Sequence, residues 1–202
     1  MVKNLNMRQE DGQTPIDDIS GLKLNITTQE ELNRAEYENY KKAYQEYRLK
    51  KITPNLAPFT FSWLCQVHFE MLGDVWEWAG EIRRSEKTIG FPCHKIGSSI
   101  HQLLDELQQW EKEKIPITEI TVRLHFHLVT IHPFENGNGR WARLAANIYL
   151  RKNGVGFINW PAQMDEIKTF RPKYIEALKR AEKGNLDPLR DLHKKYSSIG
   201  NS

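Results

Sequence analysis

Two helical patterns of apolar residues meet at twelve residues that neither pattern runs through: HPFENGNGRWAR, from His132 to Arg143. Before this stretch, Ile117, Ile120, Leu124, Leu128 and Ile131 recur every three or four places, which is one face of a helix. After it, Trp141, Leu144, Ala145 and Ile148 do the same. Pro133, Gly137 and Gly139 interrupt the periodicity, so Pro133 to Gly139 reads as a loop. The chain must fold here as helix, loop, helix, with the last loop amides opening the second helix.

That architecture carries chemistry. A helix N-terminus presents unpaired N–H groups and partial positive charge, and so binds anions. Gly137 and Gly139 let the backbone approach a phosphate, and Asn136 and Asn138 tolerate the same conformations while adding donors. At about 100° per residue, Arg140, Arg143 and Asn147 share one stripe of the second helix, beside the apolar face. Arginine keeps its charge and forks onto phosphate oxygens. Glu135 is a hard oxygen ligand suited to Mg²⁺. His132 titrates near neutrality and can take a proton from a hydroxyl. Phe134 reads as a core anchor.

Composition excludes several classes. With 29 basic and 26 acidic residues in 202, the net charge of +3 does not argue for direct nucleic-acid binding. Cys65 and Cys93 lack C-x-x-C spacing, which disfavours a zinc site or disulfide framework and fits a reducing cytoplasm. No apolar run reaches membrane-spanning length. His127 shares the buried face with Leu124 and Ile131, so it is read as a core histidine.

Along the chain, residues 1–26 are polar and rich in turn signals, an arm. Thr27 or Thr28 with Glu30 or Glu31 forms a capping box for a helix over 28–48. Further helices are expected at 59–72, 96–112, 118–131, 139–152, 164–182 and 186–196. Between them, Glu81-Ile82-Arg83 and Thr88-Ile89-Gly90-Phe91 alternate weakly between glycines, a hairpin signal. The expected organisation is an N-terminal arm and helix over 1–55 and a catalytic domain over 56–202, all-α with one small hairpin.

The nine residues His132 to Arg140 resemble the signature of the Fic family, H-x-F-x-[DE]-G-N-G-R, and Arg143 resembles the second arginine of its longer form. Trp78-Ala79-Gly80 and Lys87-Thr88-Ile89-Gly90 look like the family's lead-in and β-hairpin flap. The arm, with Gly12, Thr14-Pro15, Ile26-Thr27-Thr28 and Glu31-Leu32-Asn33, resembles the subgroup called mobile mystery protein B. That likeness implies a bacterial protein with a small helix-turn-helix or antitoxin partner.

The family resemblance implies a Fic fold and transfer of AMP from MgATP to a Tyr, Ser or Thr hydroxyl of a target protein. His132 would be the general base, Glu135 the Mg²⁺ ligand, and Asn136 to Gly139 a phosphate cradle. Arg140 would neutralise the β- and γ-phosphates, Arg143 would bind the γ-phosphate, and Lys87 to Gly90 would pair with an extended target segment. Transfer of UMP or GMP stays open, as does a catalytically weak binding partner in a mobile-element toxin–antitoxin pair. The family's inhibitory helix, [ST]-x-x-x-E-[GN], has no complete match. Arg143 lacks a partner in its own segment, so Glu36 or Glu38 of the first helix is expected to pair with it and suppress activity.

Overall fold

The protein is described here from a computed structural model over residues 19–161 and 164–197. The elements in order are α1 (Gln29–Leu49), α2 (Phe61–Leu72), α3 (Ile96–Lys112), α4 (Ile117–Ile131), α5 (Asn138–Lys152), α6 (Met164–Glu182) and α7 (Asp187–Tyr196). Each lies within two residues of the helix that its apolar spacing predicts. Thr28 caps α1, with its side chain on Glu31 N–H and the Glu31 side chain returning to Thr28 N–H. Thr60 caps α2 through the N–H of Trp63.

α4 and α5 form the central pair, with α2 and α3 beside them and α1 laid over α2 and α5. Their shared core holds Leu32, Leu64, Met71, Trp76, Ile100, Leu124, Leu128, Phe134, Trp141 and Tyr149. α6 and α7 close a second cluster against α4, built from Val122, Phe170, Tyr174, Ala177, Leu189 and Leu192.

Two expectations change. Residues 20–26 are not a free arm: they run along the segment after α2, with Lys23 N–H on Val75 O at 2.9 Å and Glu77 N–H on Gly21 O at 2.7 Å. Gly12, Thr14 and Pro15, which carry much of the subgroup resemblance, lie outside the described residues. The expected hairpin is also absent. Among the described residues the only β pairings are single bridges, Leu22 with Trp76 and Ile158 with Ser197. The flap segment, residues 81–92, lacks a ladder because one side chain takes its carbonyls: Arg83 donates to Ser85 O at 2.7 Å and to Phe91 O. Its backbone pairs with the signature loop instead, Arg83 N–H on Pro133 O at 2.9 Å and Phe91 N–H on Ile131 O at 3.2 Å.

Candidate active site

α4 ends where His132 adopts a left-handed conformation, φ 54° and ψ 60°. This is costly for a residue with a Cβ and persists only where the surroundings hold it. They do. Arg83 Nε donates to His132 O at 2.8 Å. Asn138 then closes the loop on itself, accepting from Phe134 N–H at 2.9 Å and donating to Phe134 O at 2.8 Å. Phe134 is fully buried, stacked on His68 with ring centroids 3.7 Å apart and edge-on to Trp141 at 4.9 Å.

His68 is the support that sequence spacing did not single out. Its Nδ1 accepts from Gly80 N–H at 2.9 Å, so its Nε2–H donates to Asn136 O at 2.9 Å. Burial drives its pKa down to about 3, so it is a neutral bracket between the flap lead-in and the loop. Two glycines are sterically required. A Cβ on Gly137, at φ +77°, would stand 2.7 Å from Leu72 Cδ1, and one on Gly90, at φ +97°, 2.5 Å from His132 Cβ.

His132 is 6% exposed. Burial holds its pKa down at about 4, a hydrogen bond to the Val129 carbonyl works against that shift, and the charges of Arg83 and Lys87 add to it. The ring is therefore neutral at pH 7. With one N–H on Val129 O, the other nitrogen is an acceptor, the state a general base needs.

Beyond it, α5 begins at Asn138 after the left-handed Gly137, and the first intrahelical bond runs from Trp141 N–H to Gly137 O at 2.9 Å. The amides of Asn138, Gly139 and Arg140 have no helical acceptor and form the anion-binding end. A Cβ added at Gly139 would meet only Arg143 Nη1, at 3.7 Å, so this side of the turn is open. The cradle is a backbone one. The Asn138 side chain is spent on Phe134, and Asn136 Nδ2 points to Glu36 Oε1 at 3.3 Å. Each side-chain amide thus has a partner within the protein.

Glu135 faces the flap. Ser85 Oγ donates to it at 2.9 Å and Lys87 Nζ pairs with it at 2.7 Å, its side chain 30% exposed. Counting the Fic signature along the chain also puts its acidic letter at Asn136, so Glu135 occupies a free place one residue earlier. The case for Glu135 as the Mg²⁺ ligand therefore rests on its chemistry, not on the signature. That chemistry fits. Mg²⁺ takes one or two carboxylates and fills its shell with phosphate oxygens and water. Glu135 is a half-exposed carboxylate already neutralised by a cation, Lys87. Of the remaining flap residues, Thr88 and Gly90 are exposed and Ile89 is 49% exposed, set beside His132 through Gly90.

The arginines part company. Arg140 Nη2 pairs with Glu36 Oε2 at 2.6 Å, while Trp76 Nε1 donates to Glu36 Oε1 at 2.8 Å. Glu36 is 4% exposed, a buried carboxylate held by three donors. The expected partner of this helix was Arg143, and that is corrected: Arg143 lies over the rings of Tyr174, 5.1 Å from the centroid, and Phe170, at 5.7 Å. Three residues turn a helix by roughly 300°, enough to aim one arginine at α1 and the other at α6. Glu38 is likewise excluded as the pairing residue. It is roughly 200° around α1 from Glu36, and its side chain is 60% exposed near Lys41. Asn147, placed with the arginines, instead holds the backbone of Ile158 at 2.9 and 3.0 Å.

Under α6, His125 rather than His127 is the fully buried histidine, and Trp160 packs into that second cluster beside His125, His193 and Phe170. Among the described residues no group of three His, Cys, Asp or Glu side chains could hold a metal, and no helix is long and apolar enough to cross a membrane.

The chain is similar to known proteins. The Fic/DOC family matches residues 58–150. A curated relative from Aedes aegypti, named protein adenylyltransferase Fic, is 29% identical over 130 residues, 62% of this chain. The chain spans about a quarter of that relative's length (25%). Among solved structures, the N-terminal Fic domain of a Bartonella quintana effector superposes with a TM-score of 0.69 at 19% identity, over 87% of this chain and 86% of that one. The Bartonella tribocorum BepC protein, solved with bound AMPPNP, gives 0.67 at 20% identity, over 87% and 90%. The fold is the Fic fold, and residues 58–150, which carry the signature loop between α4 and α5, match the Fic/DOC family.

Proposed function

We propose that the protein transfers AMP from MgATP to a hydroxyl of a target protein. The observation that carries this reading is a neutral, buried His132 fixed beside a helix N-terminus whose amides and two arginines suit a triphosphate. The relative named protein adenylyltransferase and the AMPPNP-bound neighbour support it.

The target hydroxyl loses its proton to the unprotonated ring nitrogen of His132 as its oxygen attacks the α-phosphorus. The bond from the α-phosphorus to the bridging oxygen breaks, and pyrophosphate leaves. The amides of Asn138 to Arg140 and the guanidinium of Arg140 stabilise the charge that builds on the phosphates, and Arg143 holds the γ-phosphate. Such positioning and electrostatic stabilisation account for most of the catalysis in phosphoryl-type transfer. Mg²⁺, held by Glu135, would screen the charge of the α- and β-phosphates. The flap residues Lys87 to Gly90, of which Thr88, Ile89 and Gly90 are exposed, receive the target segment beside His132.

Glu36 sets the resting activity. Its carboxylate occupies Arg140, the cation needed as pyrophosphate leaves, so the unmodified enzyme is restrained by α1.

The test uses ATP labelled at the α- or the γ-phosphate. Protein-bound label from the first and none from the second supports AMP transfer. Label from the γ-phosphate would establish a kinase instead. Running UTP and GTP in parallel sets the base preference. No transfer from any nucleotide would favour the binding partner of a toxin–antitoxin pair.

A further inference from the structure

Arg143 has no carboxylate partner among the described residues. It is held by the C-terminal helices, outside the residues that match the family. Behind Tyr174 runs a buried chain. The Tyr174 hydroxyl lies 2.8 Å from His125 Nε2, and His125 Nδ1 lies 2.8 Å from His193 Nε2. His125 is 0% exposed, and Tyr174 and His193 are each 6% exposed.

The Arg143 guanidinium lies over the Tyr174 ring, while the hydroxyl of that ring is tied to His125 Nε2 and His125 in turn to His193, so the two histidines fix the ring on which the cation rests. The arrangement orients a cation without neutralising it: ring faces attract the guanidinium but leave its full charge.

We propose that Tyr174, backed by His125 and His193, is a positioning residue that aims Arg143 at the terminal phosphate of ATP, so that α6 and α7 set the preference for a triphosphate over a monophosphate. The inference rests on the nucleotide reading above. It predicts an effect on ATP that AMP does not feel, because only ATP carries the phosphates Arg143 reaches.

The experiment is calorimetric titration of the full chain with ATP and with AMP. Wild type should bind ATP more tightly than AMP, and Arg143→Ala should lose that preference. Tyr174→Phe keeps the ring and removes the hydroxyl that ties it to His125; it should weaken ATP by roughly fivefold, the worth of one hydrogen bond, and leave AMP unchanged. If Tyr174→Phe does not fold, Phe170→Leu replaces it. That variant removes the other ring under the guanidinium without touching the histidines, and it should weaken ATP selectively as well. Equal weakening of ATP and AMP, or no change in either, overturns the positioning role. A wild type that binds AMP as tightly as ATP overturns the γ-phosphate role of Arg143 on which it stands. Binding of neither nucleotide overturns the nucleotide reading itself.

Discussion

Helix α1 docks on α5 and the α6–α7 pair on α4, and each side takes one arginine of α5, by opposite means. α1 offers Arg140 a buried carboxylate at 2.6 Å. α6 offers Arg143 the faces of Tyr174 and Phe170. A carboxylate cancels the charge it binds, whereas an aromatic face holds the cation and leaves the charge available to a phosphate. One contact restrains the site and the other prepares it, so position alone does not decide what a neighbour of a catalytic arginine does.

The largest expected effect lies where both arms converge. His132→Ala should lower transfer by about 10²–10⁴-fold, the usual worth of a general base, while ATP still binds both arginines. Near-normal transfer by this variant would remove His132 from the role and leave the comparison without a reaction to act on.

Glu135→Gln sharpens the account of a third charge, the metal. Losing the carboxylate should raise the Mg²⁺ concentration for half-maximal transfer by at least about tenfold. Asn136→Asp provides the contrast, since it restores the acidic letter of the signature one place on. If Glu135→Gln titrates like wild type while Asn136→Asp tightens Mg²⁺, position 136 faces the metal.

Buried histidines tie both regions to pH. The pKa is held down to about 4 at His132, and to about 3 at His68 beside the loop and His193 under α6. In the unfolded chain these groups take up protons below about 6.5. The native state binds none until pH nears 4, so the unfolded state holds more protons in between. Stability is fully present above about pH 6.5 and should fall by up to roughly 1.4 kcal/mol per pH unit for each such histidine as pH drops toward 4. Denaturant melts at pH 7, 6 and 5 measure this, and a flat series would show that these rings are not buried neutral. His68→Gln and His193→Gln divide the slope between the two regions.

The smallest effect is expected at Glu38, on the far side of α1 from Arg140. Glu38→Gly should leave transfer unchanged and cost about 1 kcal/mol or less in helix stability. A gain in activity from Glu38→Gly would move the restraint off Glu36.

The contrast between α1 and α5 also shows what a sequence exposes. The α4–loop–α5 unit was legible because backbone demands produce it: apolar spacing sets the helices, and glycines set the turn at Gly137 where a side chain meets Leu72. Glu36 was harder. It shares α1 with Glu31 and Glu38, yet the three do different things: Glu31 caps the helix, Glu38 is solvated, and Glu36 is buried. The signal was present, since Leu32, Glu36, Asn39, Ala43 and Tyr47 follow each other at helical core spacing. A charged residue on an apolar stripe asks for a buried partner. Which arginine answers depends on the rotation of α5, and no single-helix pattern contains that. The flap failed for a different reason. Its alternation predicted a ladder, but Arg83 spends the carbonyls a ladder would use. Tyr174 belongs to the second core cluster, and its place behind Arg143 depends on how α6 meets that arginine, which no single-helix pattern contains.

The central claim is that Glu36 masks Arg140 and thereby holds back transfer. It is tested most directly by incubating wild type, Glu36→Gly, and Glu36→Gly with His132→Ala, each with MgATP labelled at the α-phosphate, and measuring self-modification. Freeing Arg140 should raise labelling of Glu36→Gly well above wild type, His132→Ala should abolish the gain, and Arg143→Ala alone should not reproduce it. Labelling of Glu36→Gly at or below the wild-type level would contradict the account and make α1 a structural support.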